Sequence, residues 1–274
     1  FTGVVNLAGT GGGDTFCFTD SGVLSGASGI AGNGGGDTIE GTANADGFTI
    51  DASDGGSLTT GAGTTDFETL ENALGQGGGD TFSFTDSGVL TGVTGIAGNG
   101  GGDTIEGSAS ADTFNIDSGD GGSLTTGAGT SAFASVENLS GRGEDDAFVF
   151  GSSGSLSGAI DGGANATSSP GDEVDYSSRS GPVSPVLGTD LIAIERVTGS
   201  ASGDDTLGGV SSATIDVGDA GQANGGVAFT GVENLAGTGG GDTFSFTDSG
   251  VLTGATGIAG NGGGDTIEGS ASAD

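Results

Sequence analysis

Residues 77–107 read GGGDTFSFTDSGVLTGVTGIAGNGGGDTIEG, and the same phrase stands almost unchanged at residues 11–41 and 239–269. Working outward, residues 1–46 return as residues 229–274, 228 positions later, with six substitutions in forty-six. A second phrase, F-x-x-V/L-x-N, begins at Phe1, Phe67, Phe133 and Phe229, in steps of 66, 66 and 96. Self-similarity at a fixed period is the signature of stacked repeat units, each of which contacts only its neighbours. The chain is therefore expected to divide into repeats 1–66, 67–132, 133–228 and a partial repeat 229–274, one continuous solenoid segment expected to belong to a longer protein. The long third step comes from about thirty extra residues, around 166–198, spliced into one unit.

Within a unit, Gly-Asp turns fall at Asp14, Asp37, Asp80, Asp103 and Asp146, at intervals of 23, 43, 23 and 43, and recur at Asp242 and Asp265. Because 43 is close to twice 21.5 and 66 is three times 22, the spacing predicts coils of about 22 residues, three to a repeat. On that reading all the aspartates share one edge. The middle turn of each repeat is then Asp54-Gly55-Gly56, repeated as Asp120-Gly121-Gly122, and Asp172 continues the series three residues late.

Phenylalanine and isoleucine recur as pairs with one residue between: Phe16 and Phe18, Phe48 and Ile50, Phe82 and Phe84, Phe148 and Phe150, Phe244 and Phe246. A period of two is a strand pattern with alternate residues inward. The runs are short because glycine, asparagine and aspartate, all turn formers, interrupt them. The 66 glycines also oppose helix throughout. Strands so short persist only when stacked on the equivalent strand of the next coil, so the expected fold is all-β, a parallel β-solenoid of the β-helix or β-roll kind. Composition taken alone would suit a disordered chain, but a disordered linker has no reason to keep its phenylalanines in register.

The chain carries 37 acidic residues, three arginines, no lysine and no histidine, a net charge of −34. Such a surface repels nucleic acid and anionic membranes. No stretch has the length of a membrane span, so neither nucleic-acid binding nor direct membrane insertion is expected. Self-repulsion on this scale favours surroundings rich in divalent cations or in salt, and a halophilic origin would explain it equally. Cys17 is the lone cysteine, with Ser83 and Ser245 at the equivalent positions, so there is no disulfide framework. It is expected to point outward, as an incidental replacement or as an intermolecular crosslink.

The nonapeptide GNGGGDTIE at 32–40, 98–106 and 260–268, with a looser copy at 9–17, resembles the G-G-x-G-x-D-x-U-x repeat of the RTX family of secreted calcium-binding proteins. The resemblance implies calcium held by turn carbonyls and by Asp37, Asp103 and Asp265, with Ile39, Ile105 and Ile267 buried. Asp46 and Asp112 stand nine residues beyond two of these, in step with a second nonapeptide. With Asp14, Asp80, Asp146 and Asp242 they complete the candidate ligand set. The chain departs from the family in having Asn or Thr in place of the second glycine, and in not running its nonapeptides in long tandem. Calcium takes six to eight oxygens, which stacked Gly-Asp turns could supply. The same residues also read as structural turns with solvated carboxylates.

More widely, units such as residues 232–254 and 160–187 resemble the repeats of very large bacterial haemagglutinin- and adhesin-like surface proteins. That resemblance implies an extracellular, cell-surface structural segment, the shaft of an adhesin or filament. The expected partners are further copies, along the fibre or laterally through cations, and a surface or polysaccharide. A flat binding face for ice, mineral or polysaccharide is the alternative, drawing on Thr15, Thr38, Thr81, Thr104, Thr243 and Thr266. An enzyme is not expected: β-helix enzymes acting on acidic sugars rely on basic groups to bind substrate and move protons, and this chain has three arginines for that purpose.

Overall fold

A computed structural model describes residues 4–27, 29–165 and 170–271. The first phenylalanine of the opening phrase, Phe1, and residues 166–169 of the insert lie outside the described residues. Every regular element among the described residues is a strand, most of two to six residues, as the short apolar runs require. The strands form a fifteen-stranded, a ten-stranded and a three-stranded sheet. Apart from six antiparallel pairings, two in each of three meanders, neighbouring strands are parallel and come from successive windings. The fold is all-β, built as a β-solenoid is: the chain crosses from one sheet to another and returns one strand further on.

Like residues stack in register. Leu7 pairs with Ile30, Phe16 with Ile39, and Phe82 with Ile105, each 23 residues on. Their side chains alternate inward, so Ile39, Phe82, Ile105, Phe114, Phe148 and Phe244 are fully buried in one continuous apolar cluster. Within it Phe48 stacks on Phe82 (ring centroids 4.7 Å apart) and Phe114 on Phe148 (4.9 Å). Ile267, in the last described winding, is exposed although its equivalents Ile39 and Ile105 are buried.

The coil length differs from the sequence-based expectation. After a 23-residue winding the next pairing comes 34 or 37 residues on: Ile39 with Ala73, Phe48 with Phe82, Ile30 with Phe67. The extra length is an antiparallel meander. Gly47–Ala52, Gly55–Thr60 and Gly63–Glu68 fold back on one another within a single sheet. Thr113–Ser118, Gly121–Thr126 and Gly129–Ala134 repeat the arrangement. A third meander joins Ser212–Gly218, Ala220–Ala223 and Val227–Thr230. Asp54-Gly55 is thus a hairpin turn, with Asp54 in the left-handed region (φ 53°), and not the middle turn of a coil. Asp-Gly is the dipeptide that type I′ hairpins favour.

A repeat of 66 residues therefore holds five crossings between sheets, two and a half windings, in place of three full coils. Equivalent residues of the first two repeats fall on opposite sheets: Phe16 lies in the fifteen-stranded sheet and Phe82 in the ten-stranded one. The first meander widens the ten-stranded sheet and the second widens the other. Each meander adds two strands, about 10 Å at the usual strand spacing, so placing them on alternate sides keeps the sheets level. The insert changes this parity, and the third meander joins the same sheet as the second. Its described part supplies windings through Glu173–Asp175 and Arg196–Thr198, which pair with each other, and the chain between them stays on the core, with Tyr176 stacked on Phe150 and Val183 packed against the apolar cluster.

Replacing Phe82 by alanine removes a fully buried ring from the stack on Phe48 and is expected to lower stability by about 3–5 kcal/mol. Val93→Ala, at a fully exposed side chain, is expected to change it by less than about 0.5 kcal/mol. Urea unfolding of the two variants gives the comparison, and equal effects would contradict this packing.

Candidate functional site

The aspartates of the Gly-Asp turns each precede a strand, so strand stacking lines them up. They do not share one edge. Asp14 and Asp37 lead into strands of the fifteen-stranded sheet, Asp46, Asp80 and Asp103 into the ten-stranded sheet, and Asp112 and Asp146 into the fifteen-stranded sheet again. The half-turn offset between repeats is the reason for this switch.

Within each edge the carboxylates form columns through the backbone. The Asp46 amide donates to Asp80 Oδ1 (2.8 Å), the Asp80 amide to Asp103 Oδ1 (2.7 Å) and the Asp103 amide to Glu137 Oε2 (2.8 Å). On the other edge the order is Asp112, Asp146, Asp172 and Glu195, at 2.7, 2.7 and 2.8 Å. Shorter columns join Asp14 through Asp37 to Glu71, Val183 through Asp205 to Glu233, and Asp242 to Asp265. Each link satisfies a backbone amide with a carboxyl oxygen of the next winding. The glutamates that close four of the columns, together with Asp172 and Asp205, fall outside the sequence-based ligand set. For Glu71, Glu137 and Glu233 the Glu-Asn dipeptide at the end of the F-x-x-V/L-x-N phrase was the available signal.

The second carboxylate oxygen divides the aspartates into two kinds. At Asp14, Asp46, Asp112, Asp205 and Asp242 a threonine or serine four or five residues earlier (Thr10, Thr42, Ser108, Ser200 or Thr238) donates its backbone amide to Oδ2. The hydroxyl of the same residue also reaches the carboxylate. These carboxylates are capped. Ahead of Asp37, Asp80, Asp103 and Asp146 the same place is held by Asn33, Gln76, Asn99 and Arg142, all in the left-handed region (φ 70–92°). Their backbone turns away, and Oδ2 of Asp37, Asp80, Asp103, Asp146 and Asp172 is buried without a hydrogen-bond partner. All five of these residues are 2% exposed or less. Asp265 follows Asn261 in the same conformation (φ 63°) but lies exposed in the last described winding.

Each orphan oxygen lies against a glycine. A Cβ on Gly98 would overlap both Asp103 Oδ2 and the carbonyl oxygen of Ser135, and one on Gly75 both Asp80 Oδ2 and the carbonyl oxygen of Gly98. The capped aspartates meet their glycines in the same way, so the missing cap is what sets the open ones apart: with no protein donor to Oδ2 and a carbonyl oxygen beside it, each favours a proton, a cation or a water. Burial is the main cause pushing Asp80 up to about 7 and Asp146 to about 8, with neighbouring carboxylates adding to the shift in both. Burial also raises Asp103, Asp112 and Asp172. Among the described residues no group of three or more acidic, histidine or cysteine side chains is placed to hold a metal ion. A cation here would have to draw much of its coordination from carbonyl and amide oxygens and from water.

A further set of aspartates, of which Asp54 and Asp120 were expected as middle turns of a coil, staples each meander to a later winding. Asp54 accepts the amide and hydroxyl of Thr91, Asp120 those of Ser157 and Asp219 those of Thr253. The threonines considered for a flat face pair only two at a time, Thr15 with Thr38, Thr81 with Thr104 and Thr243 with Thr266. Asn72 and Asn138 continue the columns after Thr38 and Thr104, and the pairs are divided between two sheets. Cys17 is exposed and its thiol donates to Glu40, whose carboxylate pushes it up to about 11. No helix among the described residues is long and apolar enough to cross a membrane. Comparison with family models, curated proteins and solved structures found no match to this chain.

A carboxyl raised in the folded state favours folding at low pH, and its contribution is lost as pH climbs through the raised value. Ordinary carboxylates finish titrating below about pH 6, which leaves the raised ones to act between pH 6 and 9. In chelator the melting temperature is expected to fall across that window, and Asp80→Asn with Asp146→Asn is expected to flatten the fall. A melting temperature constant from pH 6 to 9 would contradict the buried-carboxyl assignment.

Proposed function

We propose that this chain is a structural segment of an extracellular surface fibre, the shaft of an adhesin or filament, with calcium held at its open Gly-Asp turns. The observation that carries the reading is the repetition of one hydrogen-bonded carboxylate column, with the same orphan oxygen, from winding to winding. A unique active site has no need of such redundancy, whereas a shaft gains length and stiffness from each copy. Calcium suits the open turns because it accepts carboxylate and carbonyl oxygens together and tolerates water in its shell. It would also offset the repulsion among carboxylates stacked roughly 5 Å apart at the spacing of adjacent strands. The resemblance to calcium-binding secreted repeats and to bacterial surface adhesins points the same way, as does the anionic surface. Further copies of the repeat are the natural partners along the axis, and cations bridging neighbouring shafts are the natural lateral contact.

Negative-stain electron microscopy of the chain, and of two copies joined in tandem, tests the shaft reading. In calcium the expected particles are rods of constant width whose length doubles with the tandem. Globules of unchanged shape would overturn it.

A further inference from the structure

Past the irregular turn GRGEDD at residues 141–146, the third unit lacks the cover that the first two share. In those units a meander closes over the Gly-Val-Leu phrase: the Leu24 amide donates to Thr65 Oγ1 and the Leu90 amide to Ser131 Oγ, both at 2.9 Å. In the third unit the phrase reads Gly154-Ser155-Leu156, no meander comes before the insert, and the insert crosses here instead. Leu90 is buried, whereas Leu156 is only partly so. The insert leaves a cavity of about 380 Å³ over it, lined by Leu156, Tyr176, Arg179, Pro182, Val183 and Asp190 among others. That volume falls within the range of small-molecule sites, about 300–1,000 Å³. Its walls are hydrogen-bonded to the solenoid and to themselves: the Ser157 amide to Asp120 Oδ1 (2.7 Å), the Val183 amide to Asp205 Oδ1 (2.7 Å) and the Val186 amide to Asp190 Oδ2 (2.9 Å).

The charges in this cavity are arranged unlike those elsewhere in the chain. Arg142 and Arg196 each pair with a glutamate. Among the described residues Arg179 makes no ion pair, although Asp190 lines the same space, and its buried Nε has no hydrogen-bond partner. A guanidinium and a carboxylate therefore line one cavity without pairing with each other. Their charges cancel, so neither an anion nor a cation is favoured there, and the net charge of −34 disfavours an anion further. A neutral ligand rich in hydroxyls suits both groups, accepting from the guanidinium and donating to the carboxylate. Leu156, Pro182 and Val183 offer an apolar wall for its C–H groups.

We propose that this cavity binds one neutral sugar residue of a polysaccharide, with Arg179 and Asp190 contacting its hydroxyls and Leu156 and Pro182 its C–H face. The site uses none of the open Gly-Asp turns, so its failure would leave the shaft and calcium readings standing.

Tyr176 is the only tyrosine and the chain has no tryptophan, so intrinsic fluorescence reads this cavity alone. Titration of the full chain, in calcium, with neutral tetrasaccharides of glucose, galactose or mannose is expected to give a saturable change for at least one of them. Arg179→Ala and Arg179→Lys, the second keeping the charge but losing the planar fork, are each expected to weaken that binding about tenfold. Arg142→Ala, which removes the same charge elsewhere, is expected to leave it unchanged, with the circular dichroism of all three variants matching the parent. No saturable change with any of the three sugars, or parental affinity in Arg179→Ala, overturns the site. Preference for the matching uronate tetrasaccharides overturns it as well, because the cavity would then be an anion site.

Discussion

The structure depends on a backbone amide finding a carboxylate one winding away. Strands of two or three residues make too few ladder bonds to hold their own register. At each turn, however, one aspartate oxygen takes the amide of the aspartate stacked beside it, at about 2.7 Å in the central columns. That bond fixes where the following strand begins and so which side chains face the core. Its cost is a row of buried carboxylates in a chain that already carries a net charge of −34. The threonine and serine caps reduce the cost at some turns, and at the open turns a proton, a cation or a water can do so. Stability and ion binding are therefore linked at the same oxygens.

The half-turn offset follows from the meander. A meander contributes three strands to one sheet while the chain advances only half a winding, so the 66-residue period and the winding period fall out of phase. Successive repeats present the same sequence on opposite sheets, with the extra strands and the carboxylate columns on alternate sides. Stacked this way the sheets gain width evenly, and the anionic edges are shared between two sides. The insert disturbs the alternation once, and the irregular turn at Asp145 and Asp146 lies one winding before it.

Much of this was legible in the sequence. The pairs Phe82 and Phe84, or Phe148 and Phe150, announce strands, and the 23-residue spacing of Asp14 and Asp37 announces one column. The meander is not legible there, although Asp54-Gly55 carries its signal, because a hairpin strand and a solenoid strand have the same local pattern. Only the order of pairing tells them apart, and that order is not a local property. Three coils per repeat would place Asp14, Asp37 and Asp80 on one edge, whereas two and a half windings place Asp80 opposite. The candidate ligands were located as turn residues, but their division into capped and open was not foreseen. It is written in one residue, Thr or Ser against Asn, Gln or Arg four positions ahead, and acts through the backbone conformation that residue adopts.

The ion chemistry of the fold turns on the open aspartates holding a proton when no cation is present. Carboxyl-carbon resonances of selectively labelled aspartate, assigned to Asp80 and Asp146 by their loss in the Asn variants, report this directly. In chelator at pH 6.5 both carbons are expected at the protonated position, titrating near 7 and 8, and in calcium both should move to the ionised position. Two carboxylates already ionised at pH 6.5 in chelator, and unmoved by calcium, would contradict it.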